Sequence, residues 1–151
     1  MSSRSARDCV IKFLDAFYAG DIAGAEACCH EAVSSLTRAP VDLFPHLGLK
    51  QGRTWLGKII RIQQRRFTQR RHVLRFIAAD GLRVATICDL TFAKRRAGRA
   101  VQVSAGEFFT LSGGRIFEHR AYLDSFDLVQ QLIGRDLTGE FALELAAAMH
   151  A

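Results

Sequence analysis

Near the start of the chain the apolar positions Val10, Phe13, Leu14, Phe17 and Tyr18 recur at steps of three and four. That spacing collects them on one stripe and predicts an amphipathic helix over Ser5–Tyr18. Ser5 followed three residues later by Asp8 reads as a capping box with Asp in place of the usual Glu, and Gly20 ends the helix. Asp21 then caps a second short helix that runs through Cys29. Val33–Thr37 reads as a short strand, and Ala39–Gln51, which holds Pro40 and Pro45, as a loop. Helical spacing returns over Gly52–Phe67, where Leu56, Ile59, Ile60 and Phe67 share one face and Lys58, Arg61 and Arg65 share another.

After Arg70 the period shortens to two. Strands are expected at Val73–Ala79, Leu82–Ala93, Val101–Leu111 and Arg115–Leu123. The turns between them fall at Asp80-Gly81, Ala97-Gly98 and Ser112-Gly113-Gly114. Consecutive strands on short turns form an antiparallel meander. Asp124 or Ser125 caps a further helix through Ile133, Gly134 stops it, and Leu137–Met149 is an Ala- and Leu-rich terminal helix. Asp124, acidic and at the end of a strand, is read as that cap before it is read as a catalyst. Helices followed by a meander define an α+β domain. It is expected to span 1–151 as one unit, with its core at about 5–133 and the last helix at 136–149.

Composition agrees with this pattern. The chain has 151 residues, 49% hydrophobic and 24% charged, which suits one globular domain with a real core. No apolar run approaches the roughly 20 residues of a membrane helix, and no apolar leader follows Met1, so a cytoplasmic protein is expected. Cys9, Cys28, Cys29 and Cys88 have neither zinc-ligand nor C-x-x-C spacing and are read as reduced, buried thiols; no metal and no cofactor is expected. The net charge is +6, and 17 of the 21 cations are Arg.

The order helix, helix, short strand, helix, strands resembles the nuclear transport factor 2-like superfamily, which includes SnoaL-like polyketide cyclases, ketosteroid isomerases and limonene-epoxide hydrolases. Three stretches carry the likeness. Phe13-Leu14-Asp15-Ala16-Phe17-Tyr18-Ala19-Gly20-Asp21 is similar to the first helix and its turn. Gly52-Arg53 is similar to the entry to the third helix. Phe108-Phe109-Thr110-Leu111, Gly114-Arg115-Ile116, Glu118 and Arg120-Ala121-Tyr122-Leu123-Asp124 are similar to the closing hairpin. The resemblance spans about residues 5–133. It implies a cone-shaped curved antiparallel sheet packed on N-terminal helices around a cavity, and homodimerisation through the exposed sheet face, for which Val84, Cys88, Leu90 and Phe92 supply an apolar surface.

Set beside that family, three strand faces are implied to line the cavity. They are Arg83, Ala85, Ile87, Asp89 and Thr91; Val103, Ala105, Glu107, Phe109 and Leu111; and Phe117, His119, Ala121 and Leu123. Asp89, Glu107 and His119 stand out among apolar neighbours as an acid–base cluster, because a carboxyl group beside an imidazole keeps one acid and one base available. The alternative for each is structural: Glu107 paired with Arg83 or Arg120, His119 satisfied in the core, and Asp89 in water. The family's specific sites are incomplete. Relative to the epoxide hydrolases Asp89 is kept, but Ile87, His119 and Ala121 replace an Arg, a Trp and an Asp, and Ser35-x-Thr37 replaces Tyr-x-Asn. Relative to the ketosteroid isomerases Phe13 and Thr37 replace the Tyr and the base Asp, and only the acid at Glu107 remains. Neither reaction is expected by its usual mechanism, whereas SnoaL-like acid–base chemistry with His119 and Asp89 stays open.

Phe17, Phe44, Trp55, Phe76, Phe109 and Phe117 are candidate walls of an apolar ligand pocket, with core packing as the alternative for each. His46, in the Pro-containing loop, is either at the cavity mouth or solvated, and His72 is undetermined. Arg53, Lys58, Arg61, Arg65, Arg66, Arg70, Arg71 and Arg75 occur with no acid between Asp42 and Asp80. They read as a solvated face, since only Phe67 and Phe76 interleave as bases would require; nucleic acid is not the expected partner. Three functions follow: cofactor-independent acid–base catalysis (isomerase, cyclase or lyase type) on a hydrophobic small molecule, a non-catalytic ligand-binding or interaction module, and an anion or nucleic-acid binder using the Arg-rich helix.

Overall fold

The computed structural model of the chain describes residues 2–96 and 98–151, so the turn expected at Ala97-Gly98 lies partly outside the described residues. Helix α1 spans Ser3–Ala19 and α2 Ile22–Ala27, followed by strands β1 (Cys29–Arg38) and β2 (Gly48–Gln51) and helix α3 (Thr54–Arg66). The meander is β3 (Phe67–Asp80), β4 (Arg83–Lys94), β5 (Val101–Ser112) and β6 (Arg115–Leu123), and helices α4 (Ser125–Ile133) and α5 (Thr138–Met149) close the chain. The six strands form one curved, unclosed sheet in the order β2-β1-β6-β5-β4-β3. β1 and β6 are parallel and every other pair is antiparallel.

Local chemistry sets the boundaries. Ser2, not Ser5, caps α1 by accepting from the Ser5 amide at 3.2 Å, and Gly20 ends the helix at φ 81°, where a side chain would be strained. Asp124 caps α4 by accepting from the Asp127 amide at 2.9 Å. Three boundaries differ from the sequence reading. Cys28 and Cys29 leave α2, and β1 begins at Cys29. The end of the supposed loop is β2, a four-residue edge strand paired with β1. β3 starts six residues early, because Arg70 and His72 alternate inward with Leu74 despite their polarity.

The core lies between the inner sheet face and α1. Phe13 meets Phe109 edge-on at 5.8 Å and stacks on Phe17 at 5.8 Å, with Val10, Leu14 and Ile60 fully enclosed. β4 corrects the expected polarity of its faces. Val84, Thr86, Cys88, Leu90 and Phe92 are buried in the core, and Arg83, Ala85, Ile87, Asp89 and Thr91 face outward. The opposite choice would bury an arginine and an aspartate and strand four apolar side chains in water. Val84, Cys88, Leu90 and Phe92 therefore supply no external dimer surface. Two bulges reset parity elsewhere. Arg75 is the extra residue between the pairs Leu74–Cys88 and Phe76–Ile87, and Phe117 is the extra residue between Ile116–Leu111 and Glu118–Thr110. Phe76 and Phe117 consequently lie outside, 51% and 42% exposed.

No helix among the described residues is long and apolar enough to cross a membrane. α5 buries none of its residues; Phe141 meets Phe126 of α4 edge-on at 5.4 Å. All four cysteines are free thiols, but only Cys29 and Cys88 are buried. Cys9 Sγ lies 3.7 Å from the Cys28 carbonyl oxygen. A hydrogen bond from the Cys9 thiol holds the Cys28 thiol down to about 7, while burial pushes Cys29 and Cys88 up to about 12. Cys28 is therefore expected to be the first cysteine alkylated by iodoacetamide, its rate rising with pH through about 7 and levelling above it. Cys29 and Cys88 should react only on unfolding, and peptide mapping that finds all four labelled at one rate would contradict this.

Candidate functional site

Three strands bring the site together through their register. The parallel β1–β6 pairing sets Ser35 opposite His119, and the antiparallel β5–β6 pairing sets Ala121 opposite Glu107 and Phe109 opposite His119. Glu107 and His119 are thus diagonal neighbours on the inner face, within reach of long side chains. Both are buried, at 5% and 9% exposure. Glu107 Oε1 lies 2.9 Å from His119 Nε2, and His119 Nδ1 lies 2.9 Å from Ser35 Oγ. The imidazole stacks on Phe109 at 4.9 Å and is tilted against Phe13 at 5.9 Å. Its orientation is therefore set by packing as well as by two hydrogen bonds.

The other carboxylate oxygen, Glu107 Oε2, is buried with no hydrogen-bond partner among the described residues. An unsatisfied charged oxygen in such surroundings is costly, about 1–3 kcal/mol or more. Glu107 is one of the residues lining a cavity of about 110 Å³ between the sheet, α1, α3 and α4, whose apolar walls include Phe17, Leu56, Leu90, Val103 and Leu128. Tyr18, Ser35, Thr37 and Gln63 join Glu107 and His119 as its polar lining. Burial, and then the Glu107 charge, push the Tyr18 phenol well above its ordinary range, so it remains neutral. A larger open cleft of about 1190 Å³, between the end of β4 and the α4–α5 junction, shares none of these residues.

Of the three proposed acid–base residues the structure brings two together. Asp89 is on the opposite face, where Ser104 Oγ and Arg75 Nε each donate to it at 2.7 Å and hold its carboxyl below the usual range. The aromatic candidates also divide. Phe17 lines the cavity, and Phe109 is buried behind His119. Phe44 is in the core, edge-on to His46. Trp55 is on the surface of α3 between the Lys50 and Lys58 ammonium groups, each 4.8 Å from its ring, and donates to the His46 carbonyl. Phe76 and Phe117 are outside, and Phe117 meets His30 edge-on. His46 is buried, and burial lowers its pKa. His72 pairs with Asp15 at 3.1 Å and stacks on Tyr18.

Arg83 faces outward, and Arg120 is engaged with Ser34 and Glu118, so neither is paired with Glu107. In the basic tract Arg61, Arg65, Arg66, Arg71 and Arg75 are exposed, whereas Arg70 turns inward over the Phe17 ring at 5.3 Å and donates to the Gln63 side chain. Among the described residues no three His, Cys, Asp or Glu side chains converge as a metal ion requires. The residue that sequence reasoning missed is Ser35. Its one signal was Ser35-x-Thr37 standing where related proteins carry polar site residues, and nothing in the sequence revealed the parallel register that sets it against His119.

A curved, unclosed sheet packed on N-terminal helices is the fold shared by nuclear transport factor 2-like proteins. The SnoaL-like domain family matches residues 10–119, and the chain belongs to that family. Among solved structures it is similar to an LEH-like epoxide hydrolase of M. tuberculosis, with 22% identity and a TM-score of 0.71, over 95% of this chain and 98% of that one. It is also similar to an NTF2-like protein from Burkholderia xenovorans LB400, with 18% identity and a TM-score of 0.71, over 87% and 98%. A third similar structure is TerC co-crystallised with polyporic acid, with 15% identity and a TM-score of 0.76, over 85% and 98%. At these identities the likeness shows the fold alone. None of the curated proteins compared with the chain matches it.

The buried pair should behave as a burden on stability. Replacing both members by apolar residues, Glu107→Leu with His119→Phe, is expected to leave thermal stability unchanged or raise it by about 1–4 kcal/mol, because it removes the unpartnered Oε2. Asp89→Ala on the exposed face should leave it nearly unchanged, since a solvated surface ion pair contributes little. Thermal denaturation of the two variants checks this; a double variant several kcal/mol less stable than the parent would contradict the placement.

Proposed function

We propose that the protein is a small-molecule acid–base catalyst of the isomerase, cyclase or lyase type, with Glu107 as the group that exchanges a proton with substrate and His119 as its partner. The observation that carries this reading is Glu107 in the lining of a largely apolar cavity, buried and with Oε2 unpartnered among the described residues. Oε1 is occupied by His119, so a proton taken from substrate arrives at Oε2, and the imidazole across the other oxygen offsets the change in charge. The largely apolar walls lower the local dielectric, which strengthens the interaction of the carboxylate with an acidic C–H or O–H group. These steps use side chains only. The epoxide hydrolase named above is consistent with proton-transfer chemistry on this fold, and the polyporic acid bound by TerC is consistent with an apolar ring as ligand.

A probe that requires only a base in an apolar cavity tests this reading. The protein is expected to accelerate ring opening of 5-nitrobenzisoxazole, a proton abstraction from carbon, and Glu107→Gln should slow it by about 10²–10⁴-fold. Equal rates in the parent and Glu107→Gln would refute the reading and leave a binding module of the same fold.

Homodimerisation through the outer sheet face is proposed as well. The pairings Phe76–Ile87, Ile87–Gly106 and Gly106–Tyr122 make a row across four strands, and Phe76, Ile87, Tyr122 and neighbouring Phe108 are each between 45% and 52% exposed. So large an exposed apolar stripe calls for a partner. Ile87→Glu should convert the sedimenting species from dimer to monomer with the fold kept by circular dichroism; a monomeric parent would contradict the proposal.

A further inference from the structure

Ser35, His119 and Glu107 form a continuous chain: hydroxyl to imidazole at 2.9 Å, imidazole to buried carboxylate at 2.9 Å. We propose that this chain activates Ser35 as a nucleophile, giving the protein an acyl-transfer or esterase activity towards small apolar acyl esters and thioesters. The inference goes beyond the acid–base reading, because there Glu107 touches substrate, whereas here it acts through the imidazole on a hydroxyl. Three features support it. A nucleophile within hydrogen-bond reach of a base, with the base oriented by a third group, is the arrangement that covalent acyl transfer requires on any fold. The carboxylate on Nε2 makes that the protonated nitrogen, which leaves the Nδ1 lone pair for the Ser35 proton. Ser35 lines the cavity from within β1, which is paired on both sides, so its backbone is held rigidly beside the imidazole.

The step balances as follows. Ser35 Oγ forms a bond to the acyl carbon while the carbonyl electron pair moves to oxygen, and the Ser35 proton passes to His119 Nδ1. Collapse of the tetrahedral intermediate breaks the bond to the leaving oxygen or sulfur, which takes that proton from Nδ1. A water molecule, deprotonated by the same nitrogen, then cleaves the acyl-serine and restores the hydroxyl. Glu107 Oε1 stabilises the imidazolium in each half. Two donors line the same cavity for the developing oxyanion. One is Thr37, two residues along the strand from Ser35. The other is Gln63, whose carbonyl oxygen accepts from Arg70, which orients its amide N–H₂ as a donor with no partner among the described residues. A cavity of about 110 Å³ suits a short acyl chain rather than a long one.

The test uses p-nitrophenyl acetate with the intact protein. A burst of one p-nitrophenolate per chain is expected, with the acetyl group on the Ser35 peptide by mass spectrometry. Ser35→Ala should abolish both, Ser35→Cys should keep a labelled residue at that position, and Glu107→Gln should slow acylation by about 10²–10⁴-fold. Acetyl found only on lysines or cysteines, or a burst unchanged in Ser35→Ala, would overturn the proposal. The outcome is separable from that of the acid–base reading: Glu107-dependent ring opening of 5-nitrobenzisoxazole without an acyl-Ser35 would refute the nucleophile and keep the base.

Discussion

The molecule turns on a single awkward group, a carboxylate enclosed by apolar side chains. Burying Glu107 costs free energy that only its surroundings can offset, and they offset half of it. His119 takes one oxygen, Phe109 and Phe13 pack against the imidazole, and Ser35 takes the ring's far nitrogen. The other oxygen has no partner among the described residues. A leucine at that position would carry no such cost, so the acid is a local departure from what stability alone favours.

The sheet exists in the form needed to hold this arrangement. Ser35, Glu107 and His119 are far apart in sequence and meet because β1 returns to lie parallel to β6, next to the antiparallel β5–β6 hairpin. The bulge at Phe117 shifts parity so that His119 faces inward although Ile116, three residues before it, is also buried. Without the extra residue the two could not share a face, and the acid would lose its partner.

Much of this fold could be read from the chain, for identifiable reasons. Glycines after helices, Asp80-Gly81 and Ser112-Gly113-Gly114 between strands, and the three- and four-residue spacing of Val10, Phe13, Leu14 and Phe17 are local signals, and the helices and the four meander strands follow from them. The losses are equally specific. β2 is four residues with Leu49 outward and no alternation to detect. β3 hides its first half behind arginines. Asp89 was placed inward by analogy with relatives, against the plainer signal that Val84, Cys88, Leu90 and Phe92 are the face that water rejects. Phe76 and Phe117 sit at bulges, which periodicity does not register. Glu107 and His119 were legible because their strand neighbours are apolar; Ser35 was not, because its importance lies in a long-range parallel register.

The claim on which the rest depends is that His119 is held between Glu107 and Ser35 in the lining of the cavity. Nitrogen-15 NMR of the histidine imidazoles measures it most directly. The account predicts one ring whose Nε2 proton is strongly hydrogen-bonded and slow to exchange, and whose signals change when Glu107→Gln is introduced but not with Asp89→Asn. A His119 ring that exchanges freely with water and ignores Glu107→Gln would contradict it.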